Sequence, residues 1–376
     1  MRYLVAPLEF KGSLTAAEAA QAMRLGLERG RPEAGVELLP LADGGPGTAQ
    51  ALIDALGGVW QTAPVHDPLG RRIEAAWGTW SEGRAGIVEM ARASGLGLLA
   101  PGERNPRRAS SFGTGELIRA AVLAGARSLM VGLGGSATND GGAGALQALG
   151  VRLRDAQGRE LPPGALPLRD LARIETDRTL RALEEVDIAC ITDVTNPLTG
   201  PSGATAVYGP QKGATHADIA LLDAALEHLA EVVRRQLGMD IAHESGMGAA
   251  GGLGYGLRAV FGARIVPGFE HLARVLQLGE RLARCDVVLT GEGRLDAQSL
   301  QGKGPVALAA RARAVGRRVV MFAGSIEGTW APGASPFDEI RLAGAPDWDE
   351  RRADAREAAS AALSAAVEAW AHGAGA

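Results

Sequence analysis

Lysine is almost missing from this 376-residue chain. Of 39 basic residues only Lys11, Lys212 and Lys303 are lysines, and each is followed by glycine. Arginine serves most surface positions as well as lysine does. A lysine that persists against such a skew belongs where a compact ammonium is needed and a planar guanidinium will not fit. The neighbouring glycine lets the backbone approach a ligand closely. Three Lys-Gly pairs therefore predict an anion site, phosphate foremost, assembled from distant parts of the chain. The alternative is three lysines left over from coding bias.

Other scarcities exclude whole classes. Aromatic residues make up 4% of the chain, so the core must be built from Leu, Val, Ile and Ala. Cys190 and Cys285 each lie in an apolar run and belong to no CxxC, which points to core residues and not to a disulfide or a thiolate metal site. The net charge of −4 gives no electrostatic case for nucleic acid or an anionic membrane surface. The first apolar run, Tyr3 to Pro7, is too short for a signal peptide, and no window approaches a membrane span. A soluble, cytoplasmic protein is expected. The six histidines have no metal-ligand spacing. Gly302-Lys303-Gly304 lacks the glycine spacing and the Ser/Thr of a Walker A loop, and no G-x-S-x-G elbow occurs. The first strand leads into Lys11-Gly12-Ser13 and not G-x-G-x-x-G, which argues against a dinucleotide-dependent dehydrogenase.

What is present is an alternation of apolar strands and amphipathic helices, the pattern of a parallel sheet with helices on its faces. Arg2–Ala6 and Val36–Pro40 read as strands. The helix between them starts at Thr15, with Glu18 completing a capping box. Cys285–Thr290, Arg318–Ala323 and Glu339–Ala343 read as three more strands, with a helix over Pro305–Val315 and a closing helix over Asp349–Ala371. Five strands is the count of a flavodoxin-like sheet. The middle differs: extended segments Val59–Val65 and Arg72–Trp80 flank an Asp67–Gly70 turn, and strands at Gly86–Met90, Ser128–Leu133 and Val186–Thr192 follow. The expected architecture is α/β with two domains. A discontinuous flavodoxin-like domain, residues 1–65 and 283–376, carries an inserted α/β domain, 66–282, with the active site in the cleft between them.

Polar clusters fall where predicted strands end, and in parallel sheets that is where ligands bind. Gly134-Gly135-Ser136-Ala137-Thr138-Asn139-Asp140 is the most concentrated. Its glycines, Ser136 and Thr138 could offer N–H and hydroxyl donors to phosphate, while Asn139 and Asp140 could hold a hydrated Mg²⁺. Gly291-Glu292-Gly293-Arg294-Leu295-Asp296 brackets glycines with two acids and an arginine; a solvated ion-pair loop is the alternative there. Asp193 follows a buried strand, where a carboxylate could act as a general base. Asp43 and Asp67, taken singly, read as turn residues. His216 reads as the start of a solvated helix.

Several stretches resemble the bacterial glycerate kinases of the type 1 family. They are Phe10-Lys11-Gly12-Ser13-Leu14, Leu41-Ala42-Asp43-Gly44-Gly45, Asp67-Pro68-Leu69-Gly70-Arg71, Ser111–Ile118, Gly132–Gly142, Gly209-Pro210-Gln211-Lys212-Gly213-Ala214, Gly248–Gly254 and Thr290–Arg294. The match runs from residue 2 to beyond Lys303. The resemblance implies an ATP- and Mg²⁺-dependent kinase that phosphorylates D-glycerate, usually on the 2-hydroxyl. On that reading Asp193 is the base, and Lys11, Lys212 and Lys303 neutralise phosphate or carboxylate oxygens. Ser13, Gly134, Gly135, Ser136, Thr138, Asn139, Asn196 and Arg294 bind substrate and phosphate. Asp43, Asp140, Glu292 and Asp296 compete for the metal. Leu8-Glu9, Pro46 and Thr195 depart from the family pattern, each beside an expected site residue. A kinase for another hydroxy acid, one forming 3-phosphoglycerate, and a non-catalytic ligand-binding homologue remain open. So does the oligomeric state, a homodimer included.

Overall fold

A computed structural model describes residues 1–10, 12–42, 44–296, 304–327, 335–344 and 355–373. Lys11, Asp43 and Lys303 lie outside the described residues. The chain forms two compact units. One comprises Met1–Asp43, Gln50–Ala55 and Phe269–Ala376; the other comprises Gly44–Ala49 and Leu56–Gly268. The strands, in chain order, are β1 (Arg2–Val5), β2 (Gly35–Leu38), β3 (Val59–His66), β4 (Arg72–Trp80), β5 (Ala85–Glu89), β6 (Ser128–Gly132), β7 (Arg152–Arg154), β8 (Arg173–Glu175), β9 (Asp187–Ile191), β10 (Arg264–Val266), β11 (Val287–Leu295), β12 (Arg318–Ile326) and β13 (Glu339–Leu342).

The first unit is a five-stranded sheet in the order β13-β12-β11-β1-β2, parallel at every pairing. Counted along the unit's own strands this is 2-1-3-4-5, the flavodoxin-like order. Helices cover the sheet, so its strands need apolar residues on both faces. Tyr3, Leu4 and Val5 are all buried, as are Val319 to Ala323. The helix Ala16–Gly30 begins with the expected capping box: Thr15 Oγ1 accepts from Glu18 N–H, and Glu18 Oε2 accepts from Thr15 N–H. It packs on the helix Ala355–Gly373 so closely that a Cβ on Gly26 would lie 2.1 Å from the Ser364 carbonyl oxygen. Trp370 meets Tyr3 and Phe322 edge-on, with ring centroids 6.4 and 6.1 Å away. These rings pack together in the core of the first unit.

The second unit holds a six-stranded sheet in the order β10-β9-β6-β5-β4-β3. β10, β9, β6 and β5 run parallel, and β4 and β3 form an antiparallel hairpin at the edge. Asp67 makes the hairpin turn: Oδ1 accepts N–H bonds from Leu69 and Arg71, and Oδ2 pairs with the Arg71 guanidinium. The hydrogen bonds and ion pair hold its carboxyl below the ordinary carboxylate range against the opposing effect of burial. A two-stranded ribbon, β7–β8, stands apart. Cys190 and Cys285 are buried free thiols; burial alone raises the Cys190 thiol to about 12. His216 opens the long helix His216–Leu237 and is exposed. Among the described residues no helix is long and apolar enough to cross a membrane.

Candidate active site

β5, β6 and β9 end on one rung of the second sheet, because Glu89 pairs with Gly132 and Gly132 pairs with Ile191. Gly134 and Asp193 each lie two residues beyond that rung, so the glycine loop and the expected base leave the sheet side by side. Gly44–Ala49 joins the same edge. Gly134 N–H donates to the Gly44 carbonyl (3.2 Å). A Cβ on Gly132 would sit 2.8 Å from the Gly44 oxygen, one on Gly134 would sit 2.5 Å from Gly45 Cα, and one on Gly44 would sit 2.7 Å from the Ile191 oxygen. Three backbones meet here at distances only glycine allows. Pro46 lies against Gly135, with its ring 3.2 Å from where a Cβ would be.

The Gly134–Asp140 loop has two halves. Gly135 is exposed and Gly134 and Ser136 are half-buried, so this half faces outward with backbone N–H and hydroxyl groups. Thr138, Asn139 and Asp140 are fully buried. Asp140 Oδ2 accepts from Ser111 N–H (2.8 Å), Ser111 Oγ–H (2.9 Å) and Gly144 N–H (3.2 Å), and Oδ1 accepts from Gly142 N–H (3.2 Å). Burial pushes its pKa up while these four donors pull it down, with a net rise. A carboxylate filled by protein donors anchors a loop. Asp140 therefore does not suit the metal role expected of it. Asn139 Nδ2 donates to Thr205 Oγ1 (2.9 Å), and its Oδ1, also inaccessible to solvent, has no hydrogen-bond partner among the described residues.

Lys212 lies beneath this loop and not on its surface. It is 1% exposed, and its Nζ donates to the Thr138 carbonyl (2.6 Å). Burial lowers its pKa from 10.5 to about 7, with the Asp140 carboxylate opposing the shift. The folded protein thus gives up this proton more readily than the unfolded chain. Stability from this group is complete above pH 10.5 and falls as pH drops toward 7. Denaturant titrations should find wild-type stability rising with pH between about 7 and 9, above which the raised Cys190 thiol opposes the rise. Lys212→Met should flatten that rise, and an unchanged slope would refute the assignment.

Ala250, Gly251 and Gly252 all adopt left-handed backbone, at φ of 55°, 64° and 89°. The run crosses the 138–141 backbone: Gly141 N–H donates to the Gly251 carbonyl (2.9 Å), and Thr138 Oγ1 donates to Ala250 O (3.3 Å). A Cβ on Gly251 would meet the Thr138 oxygen at 2.1 Å. Gly251→Ala should therefore cost about 2–5 kcal/mol, the sum of left-handed strain and overpacking, as read by chemical denaturation. A loss within ~0.5 kcal/mol of zero would contradict the crossing.

Asp193 is half-buried, and its Oδ1 accepts from Gly268 N–H (2.9 Å). Asn196 braces its loop from both ends of the amide: Nδ2 donates to Ser202 O (2.8 Å), and Oδ1 accepts from Tyr208 Oη–H (2.8 Å). Thr195 between them is exposed.

In the first unit, the segment after β1 lies along β11. Leu8 N–H donates to Gly291 O (2.8 Å), and Thr290 Oγ1 donates to Ala6 O (2.8 Å). Ser13 Oγ donates to Phe10 O (2.8 Å) in a tight turn. Leu8 packs on Gly304, where a Cβ would be 2.7 Å from Leu8 Cδ2, so this departure from the family pattern covers the residue after Lys303. Glu292 lies within β11 and is half-buried. Arg294 is exposed and bonds the Glu327 carboxylate, with Asp296 Oδ2 at 3.5 Å from its Nε. Glu89, which the sequence reading passed over, proves to be a buried acid at the second unit's site edge.

Fold and loops together define an α/β protein with a largely parallel sheet in each unit, whose polar and glycine-rich segments follow the carboxyl ends of strands. The model of the glycerate kinase family matches residues 3–369. A glycerate kinase from Halalkalibacterium halodurans is 43% identical over 323 residues, covering 86% of this chain and 85% of that protein. The glycerate 2-kinase of Escherichia coli K12 is 44% identical over 326 residues, covering 87% and 86%. A crystal structure assigned to glycerate kinase 2 of Salmonella typhimurium LT2 superposes with a TM-score of 0.87 at 41% identity, covering 99% of this chain and 97% of that one. The chain belongs to the glycerate kinase family, and so to the phosphotransferases that use ATP as donor.

Proposed function

We propose that this protein transfers the γ-phosphoryl group of ATP to the 2-hydroxyl of D-glycerate, giving 2-phosphoglycerate and ADP. Family membership across residues 3–369 carries the substrate class. The observation that supports the chemistry is the register of β6 on β9: Gly134 and Asp193 each follow the same rung of the sheet by two residues.

Phosphoryl transfer needs positioning and charge neutralisation more than covalent help. Asp193, held through Oδ1 by the Gly268 N–H, keeps its carboxylate oriented to take the hydroxyl proton. The Gly135 N–H and the Ser136 hydroxyl donate to phosphate oxygens, while the Gly134 N–H stays on the Gly44 carbonyl. Thr138, Asn139 and Asp140 hold that loop from inside. Lys212 adds positive charge from below through Thr138, and Lys11 and Lys303 supply the direct contacts on the strength of their sequence context. Ser13 and Arg294 are assigned to the substrate carboxylate, and Asn196 keeps the Asp193 loop in shape.

Mg²⁺ binds through one or two carboxylates and keeps its waters. Among the described residues no group of three or more metal-ligating side chains forms. Glu292, half-buried within β11, and Asp296, just beyond its end, would each supply a single carboxylate to such an ion, with Asp43 the third candidate by sequence. Mg²⁺ would supply charge neutralisation at the phosphates. A cytoplasmic setting suits these substrates.

ADP release measured against a panel of small hydroxy acids tests the reading. D-Glycerate should have the highest kcat/KM. A better acceptor, or ATP binding with no turnover on any acid, would replace it.

A further inference from the structure

We infer that Glu89 is a positioning residue for the transfer: it holds the segment Gly44–Ala49 against the Gly132–Ser136 loop. The inference rests on the kinase reading above. Glu89 is the last residue of β5 and is 3% exposed. Its backbone shares a rung with Gly132 and Ile191, the rung from which the site loops leave. Its carboxylate spans two elements. Oε1 accepts from Ala49 N–H (2.9 Å), in the first turn of the helix Thr48–Leu56, and Oε2 accepts from Arg92 Nε–H (2.8 Å). The Arg92 guanidinium in turn lies over the Trp60 ring, 4.2 Å from its centroid.

Burying a carboxylate is expensive unless it is paired and hydrogen-bonded, and an apolar side chain would fill the same space without that cost. Here the pairing does a particular job. Gly44–Ala49 is tied at its front by Gly134 N–H on the Gly44 carbonyl. Internally, Thr48 Oγ1 accepts from Gly44 N–H (3.2 Å) and donates to Gly45 O (2.7 Å). At its back the tie is Glu89 on Ala49. Both Glu89 oxygens face protein donors in a buried position, so it acts through the segment and not on substrate.

The test is a double-mutant cycle with the full-length protein, D-glycerate and ATP. Glu89→Gln keeps the shape and one acceptor oxygen, but its NH₂ then faces either Ala49 N–H or Arg92 Nε–H. It should lower kcat/KM by roughly 10–100-fold through misplacement alone, while the melting temperature stays within a few degrees of wild type. Combined with Gly134→Ala, which crowds Gly45 Cα at the front tie of the same segment, it should add almost nothing beyond the loss of Gly134→Ala alone, because both act through one segment. Ala49→Pro removes the same bond from the other side at a first-turn position that tolerates proline, and should reproduce the loss. It also serves if Glu89→Gln does not fold. Losses that multiply in the double mutant overturn the inference, as do wild-type rates in the single variants. A wild-type protein with no turnover overturns the kinase reading itself, a result distinct from either.

Discussion

Asp193→Asn should lower kcat on D-glycerate by about 10³-fold with ATP affinity unchanged, within the range that general-base groups contribute. The substitution isolates the proton-accepting function. Asparagine keeps an oxygen at the Oδ1 position, so the bond from Gly268 N–H (2.9 Å) survives and the loop after β9 stays in place. What is lost is an anionic acceptor for the hydroxyl proton. A coupled ADP assay reads the loss. A fall of less than about tenfold, a barrier change of ~1.4 kcal/mol, would remove Asp193 from the base role.

Asp140→Ala is expected to give the largest loss of stability, about 3–5 kcal/mol, because it strips a buried carboxylate from its partners. Four donors lose their acceptor at once: two backbone N–H groups in the turn into the helix Ala143–Ala148, and the N–H and hydroxyl of Ser111. The Ser111 hydroxyl also accepts from Ala145 N–H (3.0 Å), so the disturbance runs into that helix. The buried Lys212 ammonium loses its counter-charge as well. Chemical denaturation should register the change, and a loss under ~1 kcal/mol would mean that the loop is held by other contacts.

Asp140 also marks the limit of what the sequence could tell. An acid in a glycine-rich strand-end loop suits a metal ligand and a loop anchor equally well. The choice is made by Ser111, 29 residues away, whose approach no local pattern announces. Lys212 teaches the same lesson from the other side. Its rarity marked an unusual position, and the structure shows its ammonium buried under the Thr138 carbonyl, a setting that no local pattern announces. Asp67, in contrast, was legible as a turn, because its partners Leu69 and Arg71 lie within four residues. The first sheet was legible too. β1, β11 and β12 contain apolar runs, and the five strands match the count of a flavodoxin-like sheet, while their order is visible only in the pairing. Glu89 escaped because a single acid at the end of Gly86-Ile87-Val88 looks ordinary until Ala49, 40 residues upstream, is brought to it.

Phosphorus NMR of the product formed from D-glycerate and ATP tests the central claim most directly. Transfer to the 2-hydroxyl places the phosphoryl group on a carbon bearing one proton, so its resonance should split into a doublet and match 2-phosphoglycerate. A triplet, from phosphate on the CH₂ carbon of 3-phosphoglycerate, would contradict that assignment, and ADP formed with no phosphorylated acid would contradict the transfer itself.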